Sequence, residues 1–117
     1  MSEFIQILEH KDKKVIFFNC AGMDPDVAAG LFPEVTRTAI EHRINLVCSD
    51  VSNSSANDAL KAAAAESVKA VTQSLGSIHT ALVGLKGIQR IIAQAVVKDQ
   101  YFAKTREEAL EYLVGKG

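Results

Sequence analysis

Net charge is nearly absent from this chain: 13 lysines and arginines face 14 aspartates and glutamates, for a formal charge of -1. Without a basic field, binding to nucleic acid through phosphate attraction is not expected. No apolar run approaches the roughly 20 residues of a membrane-spanning helix, so no span is expected. The opening Met1-Ser2-Glu3-Phe4 does not have the basic-then-apolar pattern of a secretory signal. Cysteine is scarce. Cys20 and Cys48 lie in separate apolar stretches, neither with a second ligand at short spacing. They read as buried reduced thiols of a soluble cytoplasmic protein, with a disulfide or a metal pair as the alternative.

The chain does hold the material of one core. Its 117 residues are 48% hydrophobic and 23% charged, ordinary globular values that argue for one domain over residues 1–117. Of its two prolines, Pro25 follows Asp24 in the pattern of a helix start, an N-cap before proline at the first position. Ala28, Leu31, Phe32, Val35, Ala39 and Ile40 continue at helical spacing to about His42. Pro33 falls inside that pattern and predicts a kink or a later start.

Ahead of this helix, Phe4 to Leu8 and Val15 to Cys20 read as strands paired across a charged turn, His10 to Lys14. After it, Leu46-Val47-Cys48 reads as a buried strand that turns polar at Ser49-Asp50. The polar loop leads into a helix from about Asn57 to Ser74, with an apolar stripe of Leu60, Ala64, Val68, Val71 and Leu75. Four alanines, Ala62 to Ala65, favour helix and allow close backbone approach, and Gly76 ends it. Ile78 to Leu85 is the next strand. A helix over Ile88 to Val97, a short strand at Tyr101-Phe102 and a capping box at Thr105 to Glu108 complete the order β-β-α-β-α-β-α-β-α.

That alternation predicts an α/β fold with a mostly parallel open sheet. Val15 to Phe18 and Thr80 to Val83 are nearly continuous apolar runs, so both sheet faces need cover. If the strands lie in chain order, the crossover helices share one face. The other then calls for the first helix, a second subunit or an apolar ligand, and some helix cover plus a homodimer contact is the expectation.

The tail Thr80-Ala-Leu-Val-Gly-Leu-Lys-Gly-Ile-Gln-Arg-Ile-Ile92, then Tyr101-Phe-Ala-Lys-Thr-Arg-Glu-Glu-Ala-Leu-Glu-Tyr-Leu113, resembles the SpoIIAA-like branch of the STAS superfamily. Ile7-Leu-Glu-His-Lys11 and Asp50-Val-Ser52 extend the resemblance over nearly the whole chain. It implies a small β-α superhelical domain like that of bacterial anti-sigma-factor antagonists and, more distantly, CRAL-TRIO lipid-transfer domains. Such antagonists bind a partner kinase and are phosphorylated on a serine at the start of the helix after the third strand, in a motif close to Asp-Ser-Ser/Ala-Gly. This chain departs from that motif. Ser54-Ser55-Ala56-Asn57 has no preceding aspartate and has Asn57 for the glycine, whereas counting from Asp50 puts Asp58-Ala59 in its place.

Two clusters are candidate sites. Asp50, Ser52, Ser54, Ser55, Asn57 and Asp58 form a surface for a protein partner, kinase or anti-sigma type by resemblance. A phosphate on Ser54 or Ser55 would sit near a helix amino end, although caps and turns also use these residue types. Gly84, Lys86, Gly87 and Arg90 could cradle an anion at a strand-to-helix turn, or form an ordinary tight turn. His10, His42 and His79 have no carboxylate or cysteine at motif spacing, so no triad or metal centre is drawn, and no cofactor is expected. Asp50 is the best lone acid. The sequence reads as a non-enzymatic binding module that contacts a partner through residues 50–60. The alternative is a carrier or sensor of a small apolar or anionic ligand, with an acyl-chain pocket between the first two helices implied by the lipid-transfer resemblance.

Overall fold

Four consecutive buried residues, Val15 to Phe18, set the layering, because a strand can bury successive side chains only if both its faces are covered. In the computed structural model, which describes residues 3–54, 57–85 and 100–116, they lie on β2 (Lys13–Asn19). β2 pairs antiparallel with β1 (Ile5–His10). There follow α1 (Pro25–His42), β3 (Leu46–Asp50), α2 (Asp58–Leu75), β4 (His79–Val83), β5 (Tyr101–Ala103) and α3 (Arg106–Lys116). The strands lie in chain order, β1 to β5, and every pair after the first is parallel. This is the mostly parallel α/β sheet expected from the sequence. The helix expected over Ile88 to Val97 lies outside the described residues.

Alternation along β2 divides the core. Ile16 and Phe18 join Ala28, Val35, Val47 and Val71 beneath α1 and α2, and Phe18 meets Phe32 edge-on at 5.2 Å. Val15 and Phe17 point the other way, toward Leu46, Cys48, Ala81 and the α3 residues Leu110 and Leu113. α1 and α2 share a face because each connects neighbouring parallel strands, and such crossovers have one hand. α3 is free of that rule, since no strand follows it in the described chain, and it covers the opposite face. The expectation that this face needs a subunit or a ligand is thereby corrected: the chain covers it with its own last helix.

Several local readings change with the structure. The charged turn is two residues, not five: Lys11 and Asp12 both take positive φ, 51° and 66°, in the twist a tight hairpin needs. The flanking charges belong to the strands, where Glu9 pairs opposite Lys14 on an exposed edge. α1 starts at Pro25 and runs unbroken through Pro33. Pro33 is exposed, so the Ala29 carbonyl that loses its helical donor can be met by water. On α2 the buried positions are Ser67 and Val71, and the Ser67 hydroxyl is satisfied by Thr36 on α1 at 2.7 Å. The caps read at Asp24, Thr105 and Gly76 form, and Asn57 adds one at the start of α2. Asp24 accepts from Asp26 N, Asn57 from Leu60 N and Thr105 from Glu108 N, while Gly76 closes α2 at φ 90°. The Glu108 carboxylate reaches Lys104 N at 3.3 Å, one residue upstream of the reciprocal capping-box bond.

Candidate functional site

Parallel strands in chain order bring the ends of β2, β3 and β4 to one edge, where backbone bonds tie the loops together beyond the strands. Cys20 N donates to Asp50 O at 2.8 Å, Gly22 N to Ser52 O at 2.9 Å and Val51 N to Val83 O at 2.9 Å. The central loop is a turn. Ser54 N donates to Val51 O at 3.2 Å, and Asn53 takes φ 55°, a left-handed conformation that asparagine tolerates. Asp50 and Ser54 then brace the turn with their side chains. Asp50 Oδ1 accepts from Ser52 N at 3.0 Å, and the Ser54 hydroxyl donates to Val51 O at 2.7 Å.

Gly84 closes this arrangement from β4. Its φ is 95°, and a Cβ built there would lie 2.1 Å from Ser52 Oγ and 2.9 Å from Ser52 Cα. Only glycine lets the β4 end approach the loop this closely. Gly84 thus has a packing role at this edge. Its companions in the anion reading, Lys86, Gly87 and Arg90, lie outside the described residues, as does Ser55.

The starts of α1 and α2 meet at the same edge. Asn57 caps α2 with its oxygen and donates from its nitrogen to Asp26 Oδ1 at 2.8 Å, joining the two helix beginnings. Asp58 follows at the first helical position with its side chain fully in solvent. The edge therefore carries Asp24, Asp26, Asp50 and Asp58, the helical three sitting where the positive ends of two helix dipoles favour a carboxylate. Burial, and secondarily Asp50, pushes both cysteine thiols up to about 12, so neither is a nucleophile at neutral pH. Cys20 and Cys48 also belong to different core clusters on opposite sides of the sheet, and both are free thiols.

Of the sequence candidates, Asp50, Ser52, Ser54, Asn57 and Asp58 come together here. The histidines do not: His10 and His79 lie at the far ends of their strands and His42 at the end of α1. Among the described residues, no group of three metal-ligating side chains forms, and no helix is long and apolar enough to cross a membrane. Sequence reasoning missed Asp26, Phe4 and Val27. Phe4 is 37% exposed and Val27 53% exposed, the two large apolar side chains most open to solvent among the described residues. Both belong to this edge, since Phe4 O accepts from Asn19 N at the end of β2 and Val27 follows Asp26. Val27 was legible, because it falls outside the apolar helical series of α1. Between α1 and α2, where the lipid-transfer resemblance allows a pocket, an open groove of about 600 Å³ runs along the outer surface.

No protein-family model matches the sequence, and no curated protein matches it. Among solved structures, the fold is similar to that of a Thermotoga maritima protein provisionally described as an anti-sigma factor antagonist. The TM-score is 0.68 at 14% sequence identity, over 96% of each chain. At that identity the likeness shows the fold: a single mixed sheet with helices on both faces.

Proposed function

We propose that this chain is a non-enzymatic protein-interaction module that contacts its partner through the loop after β3 and the start of α2, residues 50–60. The observation that carries the reading is the strand-end edge itself. A loop braced by three inter-strand backbone bonds presents exposed Asn53, with exposed Phe4 and Val27 at the same edge. Partly exposed apolar side chains on a rigid, polar-rimmed platform are the features of a docking surface. The similarity in fold to a protein described as an anti-sigma factor antagonist supports a partner of the anti-sigma-factor type. The acidic rim of Asp24, Asp26, Asp50 and Asp58 suits a partner with lysines and arginines facing it.

The test is affinity capture from extract of the native host, with the wild type beside Phe4→Ser and Asn53→Lys. The expected result is a protein retained by the wild type and recovered at least tenfold less with each folded variant. Retention that neither substitution changes would place the contact elsewhere. Absence of any retained protein would leave the module reading without a partner.

A further inference from the structure

The outward faces of α1 and α2 carry a charge pattern that begins at Asp26 and Asp58 of the strand-end site and continues along both helices to Arg37 and Lys69. The two helices run parallel, because both connect parallel strands, and the Asn57–Asp26 bond sets their beginnings level. On α1, exposed Asp26 and Arg37 are eleven residues apart, and on α2 exposed Asp58 and Lys69 are also eleven apart. Eleven residues is about three turns and about 16 Å of rise, so each pair shares one side of its helix. Arg37 and Lys69 both line the groove between the helices, which fixes that side as the outer one.

We infer that a second copy of this chain docks on this face, antiparallel, about a twofold axis crossing both helices at mid-pattern. The axis passes α1 between positions 31 and 32 and α2 between 63 and 64. It then sets Asp26 against Arg37 of the second copy and Asp58 against Lys69 of the second copy. Two ion pairs, each occurring twice, follow from one operation. A twofold contact requires this self-complementarity. The exposed positions nearest the axis are small or lack long side chains. Gly30 mirrors Pro33 and Ala62 mirrors Ala65, all four exposed, so the helices can approach closely there. The loop at 51–54 lies beyond the helix beginnings and stays open in the pair. Asp26 and Asp58 belong both to this face and to the rim of the proposed partner site, whereas Gly30 and Ala62 lie outside that rim, so substitutions there separate the two readings.

Sedimentation velocity of the full chain from about 1 to 500 μM tests it. The expected result is a reversible dimer. Gly30→Arg and Ala62→Arg, neither of which meets a buried neighbour, give monomers with unchanged far-UV circular dichroism. Asp58→Lys and Lys69→Asp each raise the dissociation constant roughly tenfold, because each reverses two symmetry-related pairs. The double variant Asp58→Lys/Lys69→Asp returns most of that loss, which no purely structural role of either residue predicts. A monomer throughout the range overturns the inference. So does a dimer indifferent to Gly30→Arg and Ala62→Arg, or a double variant as weak as the singles.

Discussion

The two ends of the sheet are held by different physics. At the carboxyl end, main-chain bonds run from Cys20 to Asp50, Gly22 to Ser52 and Val51 to Val83, and the side chains only brace what the backbone has fixed. At the amino end, the β1–β2 turn is tied to α3 by side chains alone. Glu111 accepts from Lys11 Nζ at 2.6 Å and from His10 Nε2 at 3.0 Å, with the carboxylate half in solvent. Backbone bonds between strand ends do not respond to pH or salt in the working range, whereas exposed ion contacts are weak and screened. The end with the fixed loops suits a docking surface. The other end is a clasp that conditions can loosen.

The sharpest way to break this contrast is Gly84→Ala. The substitution forces a side chain into positive φ and against Ser52, including its backbone Cα, which cannot swing away. Strain and overpacking together predict a loss of about 2–5 kcal/mol in urea or guanidinium unfolding. Gly76→Ala separates the two causes. Gly76 also has positive φ, 90°, but an added Cβ there meets nothing within 4 Å, so it registers the strain alone, about 1 kcal/mol. Equal losses at the two glycines would mean that the close approach of β4 to the loop contributes nothing.

A smaller effect at the same end comes from Asn57. Asn57→Ala removes the acceptor for Leu60 N and the donor to Asp26, and a loss of about 1 kcal/mol is expected for the cap. Asn57→Asp keeps the cap but sets a carboxylate against Asp26, so its stability should rise with added salt while that of Asn57→Ala stays nearly flat. Thermal unfolding at low and high sodium chloride reads the difference. Identical salt responses would show that the cross-helix bond does not matter.

How much of this was legible depended on the range of the interaction. Local signals read well: the apolar run Val15 to Phe18, the Asp24-Pro25 start, the Gly76 stop and the Thr105 cap each rest on neighbours within a few residues. The strand-end site was half legible. Asp50, Ser52, Ser54, Asn57 and Asp58 were readable because short polar residues after a buried strand mark a loop at a sheet edge. The Gly84 contact with Ser52 and the Asp26 bond to Asn57 were not, because each joins residues about thirty positions apart, and no local pattern encodes which loops meet. The cover of the second sheet face was missed for a similar reason. Among the described residues no strand follows α3 to fix its side, so crossover handedness could not place it. Ser67 was overlooked because a serine in an alanine-rich stripe reads as solvent-facing until its partner Thr36, on another helix, is known.

The smallest effect belongs to the amino end and depends on pH. The hydrogen bond from Lys11, and then that from His10, holds the Glu111 carboxyl below its ordinary value of 4.5. A depressed carboxylate binds its proton less readily in the folded chain than in the unfolded one. Its contribution is therefore present above the unfolded value and is lost as pH falls through the lower, folded value. The window lies from about pH 4.5 downward. Glu111→Gln should be slightly less stable than the wild type at pH 7 and should lose less on acidification, so the two urea midpoints converge toward pH 3. Raising the salt at pH 7 should narrow the same gap, because both partners face solvent. Midpoints that run parallel from pH 7 to pH 3 would mean that the clasp contributes nothing. The hairpin would then have to hold its two residues at positive φ through strand pairing alone.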